Sequence, residues 1–208
     1  MIKVVIAENY PIVRLGLKQV ITGESDITVT GEAGTARDFF SLLQNVDCDV
    51  VILDTQLPDR NSFEVLSQLK RERPDLKVLV FSTQPEGEYA VRFFKVGVSG
   101  YMMKGSETEE LADAIRKVHS GGAYVTPRLA EQLIHSHDVT DKPFHENLSN
   151  REFQIFCMIA EGNPLKKIAN ELCLSEKTIS TYRSRILEKM MLKSNADLIR
   201  YALENNLI

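Results

Sequence analysis

Four side chains in the first half of this sequence have the types needed to receive a phosphoryl group: Glu8, Asp54, Ser82 and Lys104. Each closes a short apolar or β-branched run. Glu8 follows KVVIA (3–7), Asp54 ends DVVILD (49–54), Ser82 ends KVLVFS (77–82) and Lys104 ends SGYMMK (99–104). An aspartate at such a place can act as a nucleophile and carry the phosphoryl group as an acyl phosphate. Glu8 and Asp54 can hold Mg2+, which neutralises phosphoryl oxygens. Lys104 and Ser82 can bind those oxygens once the group is attached. Strand ends are often polar, so one such residue carries little weight. Four of them, each ending its own strand of one parallel sheet, would converge on one rim.

That convergence requires a particular set of elements. A fifth strand-like run is ITVTGEA (27–33), and helix-period stretches lie at 11–22, 35–45, 61–72, 86–96 and 107–120. In the last of these, Leu111, Ile115 and Val118 share one face at spacings of four and three. Five βα units with short connections predict an α/β doubly wound, flavodoxin-like, five-stranded parallel sheet covered on both faces. The unbroken apolar runs VVIL and VLVF fit strands buried on both sides. In such sheets ligands sit outside the carboxyl ends of the strands. His119-Ser-Gly-Gly closes the fifth helix, and paired glycines cap well. The first domain is therefore expected over 1–122.

Residues 123–146 read as a linker with a short helix from Pro127 to about His135, and the polar stretch SHDVTDKPFHEN (136–147) has no apolar period. His135 and His137 alternate as a metal pair would, but no acid or thiol cluster joins them, so a solvated linker is the preferred reading. Residues 147–208 predict an all-α four-helix domain. Ser149 and Glu152 form a capping box opening a helix to Gly162. Pro164 starts the next helix, with Ile168, Ala169 and Leu172 as its apolar side. Leu174-Ser175 makes a turn into a third helix (176–191), and a fourth runs from 195 to 205. Two helices joined by a short turn make a helix-turn-helix, whose second helix enters the major groove. Here that helix has Ile179, Tyr182, Ile186 and Met190 on one side. Lys177, Thr178, Ser180, Thr181, Arg183, Ser184, Arg185 and Lys189 lie on the other. Arginines, lysines and hydroxyls suit phosphates and base edges.

Charge is distributed to match. The chain has 208 residues and a net charge of −4, which by itself does not point to DNA. Residues 166–193, however, carry seven bases against three acids. The apolar and charged fractions, 43% and 26%, are those of a soluble protein, and no apolar run reaches the roughly 20 residues that span a bilayer. Three cysteines, an odd count in apolar contexts without metal spacing, lead to the expectation of a reducing compartment, the cytoplasm. An enzyme is the less favoured class. A haloacid-dehalogenase-type phosphatase needs a second Asp two residues after the first, where this chain has Gln56. A nucleotide-binding domain needs a Gly-rich loop after the first strand, and there is none.

The motifs VVILDTQLP (50–58) and GYMMK (100–104), with Ser82 between them, resemble a response-regulator receiver domain. LSNREFQIFCMIAEG and IANELCLSEKTISTYRSRILEKM resemble the LuxR-type helix-turn-helix, and together they point to the NarL/FixJ subfamily. The resemblance implies a two-component response regulator that binds DNA and is switched by phosphorylation of Asp54 by a sensor histidine kinase or phosphorelay protein. It implies that Gln56 offers a backbone carbonyl to the metal, that Ser82 is the switch hydroxyl and Tyr101 the switch aromatic, and that Lys104 is the conserved-type lysine. It places Ser180, Thr181 and Ser184 at groove-reading positions and gives the last helix, through Leu198, Ile199 and Ala202, a homodimer contact. Double-stranded promoter DNA and RNA polymerase are the implied partners. Three departures stand out: Ala7-Glu8 where the family usually has two acids, Ser62 where it usually has glycine, and Gly105 after the lysine. Ala7 predicts weakened Mg2+ binding. A regulator that works without phosphorylation is the alternative, and an interaction module that has lost DNA is a more distant one.

Overall fold

The computed structural model describes residues 1–84, 86–135, 144–205 and 207–208, without the side chain of His135. Most of the polar stretch expected as a linker (136–143, including His137) lies outside the described residues. The described chain divides into two compact units. One comprises Met1–Thr83 with Phe93–Thr126, the other Gln84–Arg92 with Pro127–Ile208.

The first unit alternates strand and helix. The strands are β1 (Ile2–Ala7), β2 (Ile27–Ala33), β3 (Val50–Asp54), β4 (Lys77–Ser82) and β5 (Gly100–Met103). The helices between and after them are α1 (Pro11–Thr22), α2 (Ala36–Leu43), α3 (Ser62–Glu72), α4 (Glu88–Val96), of which only the part from Phe93 on belongs to this unit, and α5 (Glu109–His119). All pairings are parallel and the strand order is β2-β1-β3-β4-β5. Alternate residues of each strand serve opposite faces. Val4, Ile6, Val50, Ile52 and Leu79 join Leu17 and Ile21 of α1 and Leu111, Ile115 and Val118 of α5 in one core. Their neighbours Val5, Val51, Leu53, Val78 and Val80 are equally buried. Both faces are thus covered, which is why these runs are continuously apolar.

Local chemistry sets the helix ends. Pro11 sits at the start of α1, where its missing N–H costs nothing. Thr35 caps α2 by accepting from the Asp38 N–H, and Asn61 caps α3 by accepting from the Phe63 N–H. Asp59 adds a cap from outside its own helix: its carboxylate accepts from the Ala36 and Arg37 N–H groups at 2.7 and 3.0 Å. This ties the loop after β3 to the start of α2. Gly100 admits β5 beside β4, because a Cβ there would come within 2.9 Å of Leu79 and Tyr124 side-chain carbons.

The second unit holds α6 (Pro127–His135), a 3-10 turn at Phe144–Asn147, and the helices α7 (Asn150–Ala160), α8 (Leu165–Glu171), α9 (Glu176–Lys189) and α10 (Asn195–Glu204). The expected capping box is present: Ser149 accepts from the Glu152 N–H and the Glu152 carboxylate accepts from the Ser149 N–H at 2.8 Å. Pro164 is the N-cap of α8 rather than its first residue. α9 packs against α7 and α8, and α10 against α7. Cys173 and Met191, in the turns before and after α9, have φ of 51° and 53°. Non-glycine residues rarely take this left-handed conformation.

Candidate functional site

β1 and β3 lie side by side at the point where the strand order reverses, with Ala7 opposite Leu53. This is where doubly wound sheets bind ligands. Glu8 follows β1, anchored by its N–H donating to the Ala33 carbonyl at 3.0 Å. Lys104 follows β5, anchored by its N–H donating to the Ser82 carbonyl at 2.7 Å. Asp54 ends β3, one strand over from Phe81.

The expected convergence is therefore observed for three side chains. The Lys104 ammonium lies 2.8 Å from Glu8 Oε2 and 3.0 Å from Asp54 Oδ1. Both carboxylates are about 1% exposed. Glu8 Oε1 accepts from the Tyr10 N–H at 2.9 Å. Burial pushes the Glu8 carboxyl above its ordinary value, and the Asp54 charge adds to this against the pull of Lys104 and the Tyr10 N–H. Glu8 Oε2 and Asp54 Oδ1 are buried against the Lys104 ammonium, and the buried Asp54 Oδ2 has no hydrogen-bond partner among the described residues. Buried carboxylate oxygens normally find partners, so this rim is a set of hard oxygen donors suited to Mg2+. Among the described residues this rim brings together two carboxylates, the neighbouring Ala7 is fully buried, and no group of three His, Cys, Asp or Glu side chains is placed to hold a metal.

Ser82 is at the same rim and fully buried, but its hydroxyl does not bond to Asp54. It lies 3.0 Å from the Thr55 hydroxyl, a residue the sequence reading passed over. Gln56 follows, half-buried. The Tyr101 ring is fully buried, 6.3 Å from the Phe93 ring, which in turn stacks on Phe63 at 4.0 Å. Ser62 is enclosed, and its hydroxyl has no partner among the described residues.

In the second unit α9 turns Ile179, Ile186 and Met190 fully inward and Tyr182 halfway. Lys177, Ser180, Thr181, Ser184, Arg185 and Lys189 are exposed, while Thr178 and Arg183 are half-buried. The polar face is not uniform. Thr178 bonds the capping Ser175, Thr181 donates to the Lys177 carbonyl at 3.0 Å, and Ser184 donates to the Ser180 carbonyl at 3.1 Å. Arg183 donates to Asn195 Oδ1 at 2.6 Å, fastening α9 to the start of α10. Lys189 donates to Glu152 Oε2 at 2.7 Å, and that carboxylate is 5% exposed. Lys177 and Arg185 are the two cations of the expected set that no internal bond occupies among the described residues.

The expected dimer contact needs correction. Leu198 and Ala202 are fully buried where α10 packs on α7, so they serve this domain's own core. Ile199 is half-buried, and Leu203 is 60% exposed.

A doubly wound sheet bearing Asp, Glu and Lys at its switch point, followed by a separate helix-turn-helix unit, defines a receiver joined to a DNA-binding module. The family model for the response regulator receiver domain matches residues 4–116, and that for bacterial regulatory proteins of the luxR family matches 146–202. The chain is 35% identical to response regulator GacA of Pseudomonas aeruginosa over 100% of this chain and 98% of that one. It is 30% identical to response regulator UvrY of Escherichia coli over 100% and 96%. A solved structure of RcsB from Salmonella enterica serovar Typhimurium, bound to promoter rprA in the presence of the phosphomimetic BeF3-, shares the fold. Its TM-score is 0.67 and its identity 23%, over 97% of this chain and 98% of that one. The chain belongs to the two-component response regulators, DNA-binding transcriptional regulators with a receiver domain and a luxR-type helix-turn-helix domain. No helix among the described residues is long and apolar enough to cross a membrane.

Proposed function

We propose that Asp54 is the phosphoacceptor and that its phosphorylation raises the affinity of the helix-turn-helix domain for promoter DNA. The observation that carries this reading is the buried Asp54 carboxylate, with Oδ1 3.0 Å from the Lys104 ammonium and Oδ2 without a hydrogen-bond partner among the described residues. An Asp54 oxygen forms the new P–O bond as the bond from phosphorus to the donor's leaving atom breaks, the donor being a phosphohistidine of a sensor kinase or phosphorelay protein. Lys104 then ion-pairs with the phosphoryl oxygens. Mg2+, held by Glu8, Asp54 and the Gln56 main-chain carbonyl, would supply charge neutralisation. Ser82 donates to a phosphoryl oxygen, and Tyr101 moves into the space it vacates.

The receiver domain spans 1–122 and the DNA-binding domain 147–208, joined by 123–146. α9 enters the major groove with Lys177 and Arg185 on phosphates, and with Ser180, Thr181 and Ser184 facing the bases. The internal bonds of Arg183 and Lys189 make them supports of that helix first. The protein works in the cytoplasm as a homodimer on DNA and contacts RNA polymerase there. The direct test is incubation with Mg2+ and a small phosphodonor. Acid-stable, base-labile phosphate on Asp54 is the expected product, and a protein that stays unlabelled while binding DNA normally would favour the phosphorylation-independent alternative.

Ala7→Asp should tighten Mg2+ binding and speed phosphate incorporation, because it adds a third carboxylate to a site with two. It should also lower the melting temperature without Mg2+ and raise it with Mg2+, since a buried carboxylate is costly until a cation meets it. A Mg2+ titration followed by melting checks both. Equal Mg2+ affinity in the two proteins would separate Ala7 from the metal site.

A further inference from the structure

Thr55 follows the phosphoacceptor and has a hydroxyl that no step above uses. The residue is 2% exposed and its Oγ1 lies 3.0 Å from Ser82 Oγ, on the neighbouring strand. Neither Asp54 oxygen accepts from Ser82 in this state. The Ser82 hydroxyl is therefore hydrogen-bonded to Thr55, with either hydroxyl able to donate, and not to the carboxylate that would carry the phosphoryl group. A serine has one O–H proton and the pair is shut off from water, so reaching a phosphoryl oxygen means giving up this arrangement or reversing it.

We propose that Thr55 is a positioning residue that holds the Ser82 hydroxyl in its unphosphorylated orientation, so that the phosphoryl group must compete with Thr55 for Ser82. This rests on the reading of Asp54 as phosphoacceptor. The latch sets how strongly the receiver resists activation. It acts through Ser82 and touches no reacting atom.

The size of the effect follows from the bond. A neutral hydrogen bond contributes about 0.5–1.5 kcal/mol net, which corresponds to roughly a two- to tenfold change in an equilibrium constant. Removing the Thr55 hydroxyl destabilises only the state in which Ser82 uses it, so binding of a phosphoryl mimic should tighten by that factor. Thr55→Val removes the hydroxyl at nearly constant shape, and Thr55→Ser keeps it.

The experiment is calorimetric titration of the full-length protein with beryllofluoride in Mg2+, with melting curves confirming that each variant is folded. Thr55→Val should bind about two- to tenfold more tightly than the unmodified protein, and Thr55→Ser should match the unmodified protein. In a Ser82→Ala background Thr55→Val should have no further effect, an outcome that a purely structural role for Thr55 would not give. Thr55→Ala, which also lacks the hydroxyl, replaces Thr55→Val in every comparison should the valine variant fail to fold. Unchanged or weakened binding on loss of the hydroxyl overturns the latch, as does an effect that persists without the Ser82 hydroxyl. Absence of beryllofluoride binding by the unmodified protein would instead overturn the Asp54 reading, and the latch with it.

Discussion

Asp54→Asn should abolish phosphate incorporation while leaving the receiver folded. The two halves of this expectation have separate causes. An amide is a poor nucleophile and carries no charge to bind Mg2+, so chemistry at this position stops. The fold, by contrast, loses little. Asp54 sits at the end of β3 within a buried group of two carboxylates and one ammonium, and beyond its ion pair with Lys104 neither of its oxygens accepts a hydrogen bond among the described residues. Its charge is also one of the causes that raise the Glu8 carboxyl. Replacing it leaves Lys104 paired with Glu8 and removes a like-charge repulsion. In Mg2+-free buffer the variant should therefore melt at or above the temperature of the unmodified protein. Labelling with a radioactive phosphodonor and a melting curve check the two halves. Undiminished labelling of Asp54→Asn would move the acceptor elsewhere.

The second large effect lies in the other domain. Leu198→Ala should destabilise the helix-turn-helix unit by about 2–5 kcal/mol, the range for deleting a fully buried leucine side chain. Leu198 is completely enclosed where α10 meets α7. A variant at a pure dimer contact would behave otherwise, keeping its stability while losing self-association. Leu203→Glu supplies that comparison. Leu203 is 60% exposed, so its replacement should change stability by no more than about 0.5 kcal/mol. Urea unfolding of both variants decides the matter, and a Leu198→Ala protein as stable as the unmodified one would contradict the packing of α10.

The contrast between Leu198 and Leu203 shows where the sequence ran short. The amphipathic pattern of α10 marks Leu198, Ile199, Ala202 and Leu203 as one apolar stripe, and periodicity fixes the stripe but not how deep its neighbour covers it. Only the position of α7 separates the enclosed pair from Leu203. Four of the five strands were more legible, because each was a short apolar or β-branched run closed by a polar residue, whereas β2 (ITVTGEA) has no such terminator. Those terminators located Glu8, Asp54 and Lys104 before any contact between them was known. Ser82 was equally legible as a residue, but its partner was not. Thr55 reads as an ordinary residue after the aspartate, and its meeting with Ser82 depends on the register of β3 against β4. The same holds for Asp59, whose bonds to the start of α2 cross 23 residues of chain, and for the pairing of Lys189 with Glu152. Cys173 and Met191 carried no signal at all, since glycine or asparagine is the usual mark of a left-handed turn.

These internal bonds narrow what α9 can offer to DNA. Lys177 and Arg185 remain as exposed cations without an internal partner among the described residues. Each phosphate contact releases condensed counterions and contributes about −0.9 to the log–log slope of affinity against salt.

The central claim is that occupancy of the Asp54 site controls DNA binding, and anisotropy titration of a labelled duplex tests it most directly. The duplex is one the protein itself selects from a random-sequence pool, titrated with and without beryllofluoride and Mg2+ at several salt concentrations. The account predicts tighter binding with beryllofluoride, no such gain in Asp54→Asn, and a salt slope that Arg185→Ala makes shallower by about one. Equal DNA affinity in the two conditions, for a protein shown to bind beryllofluoride, would contradict it.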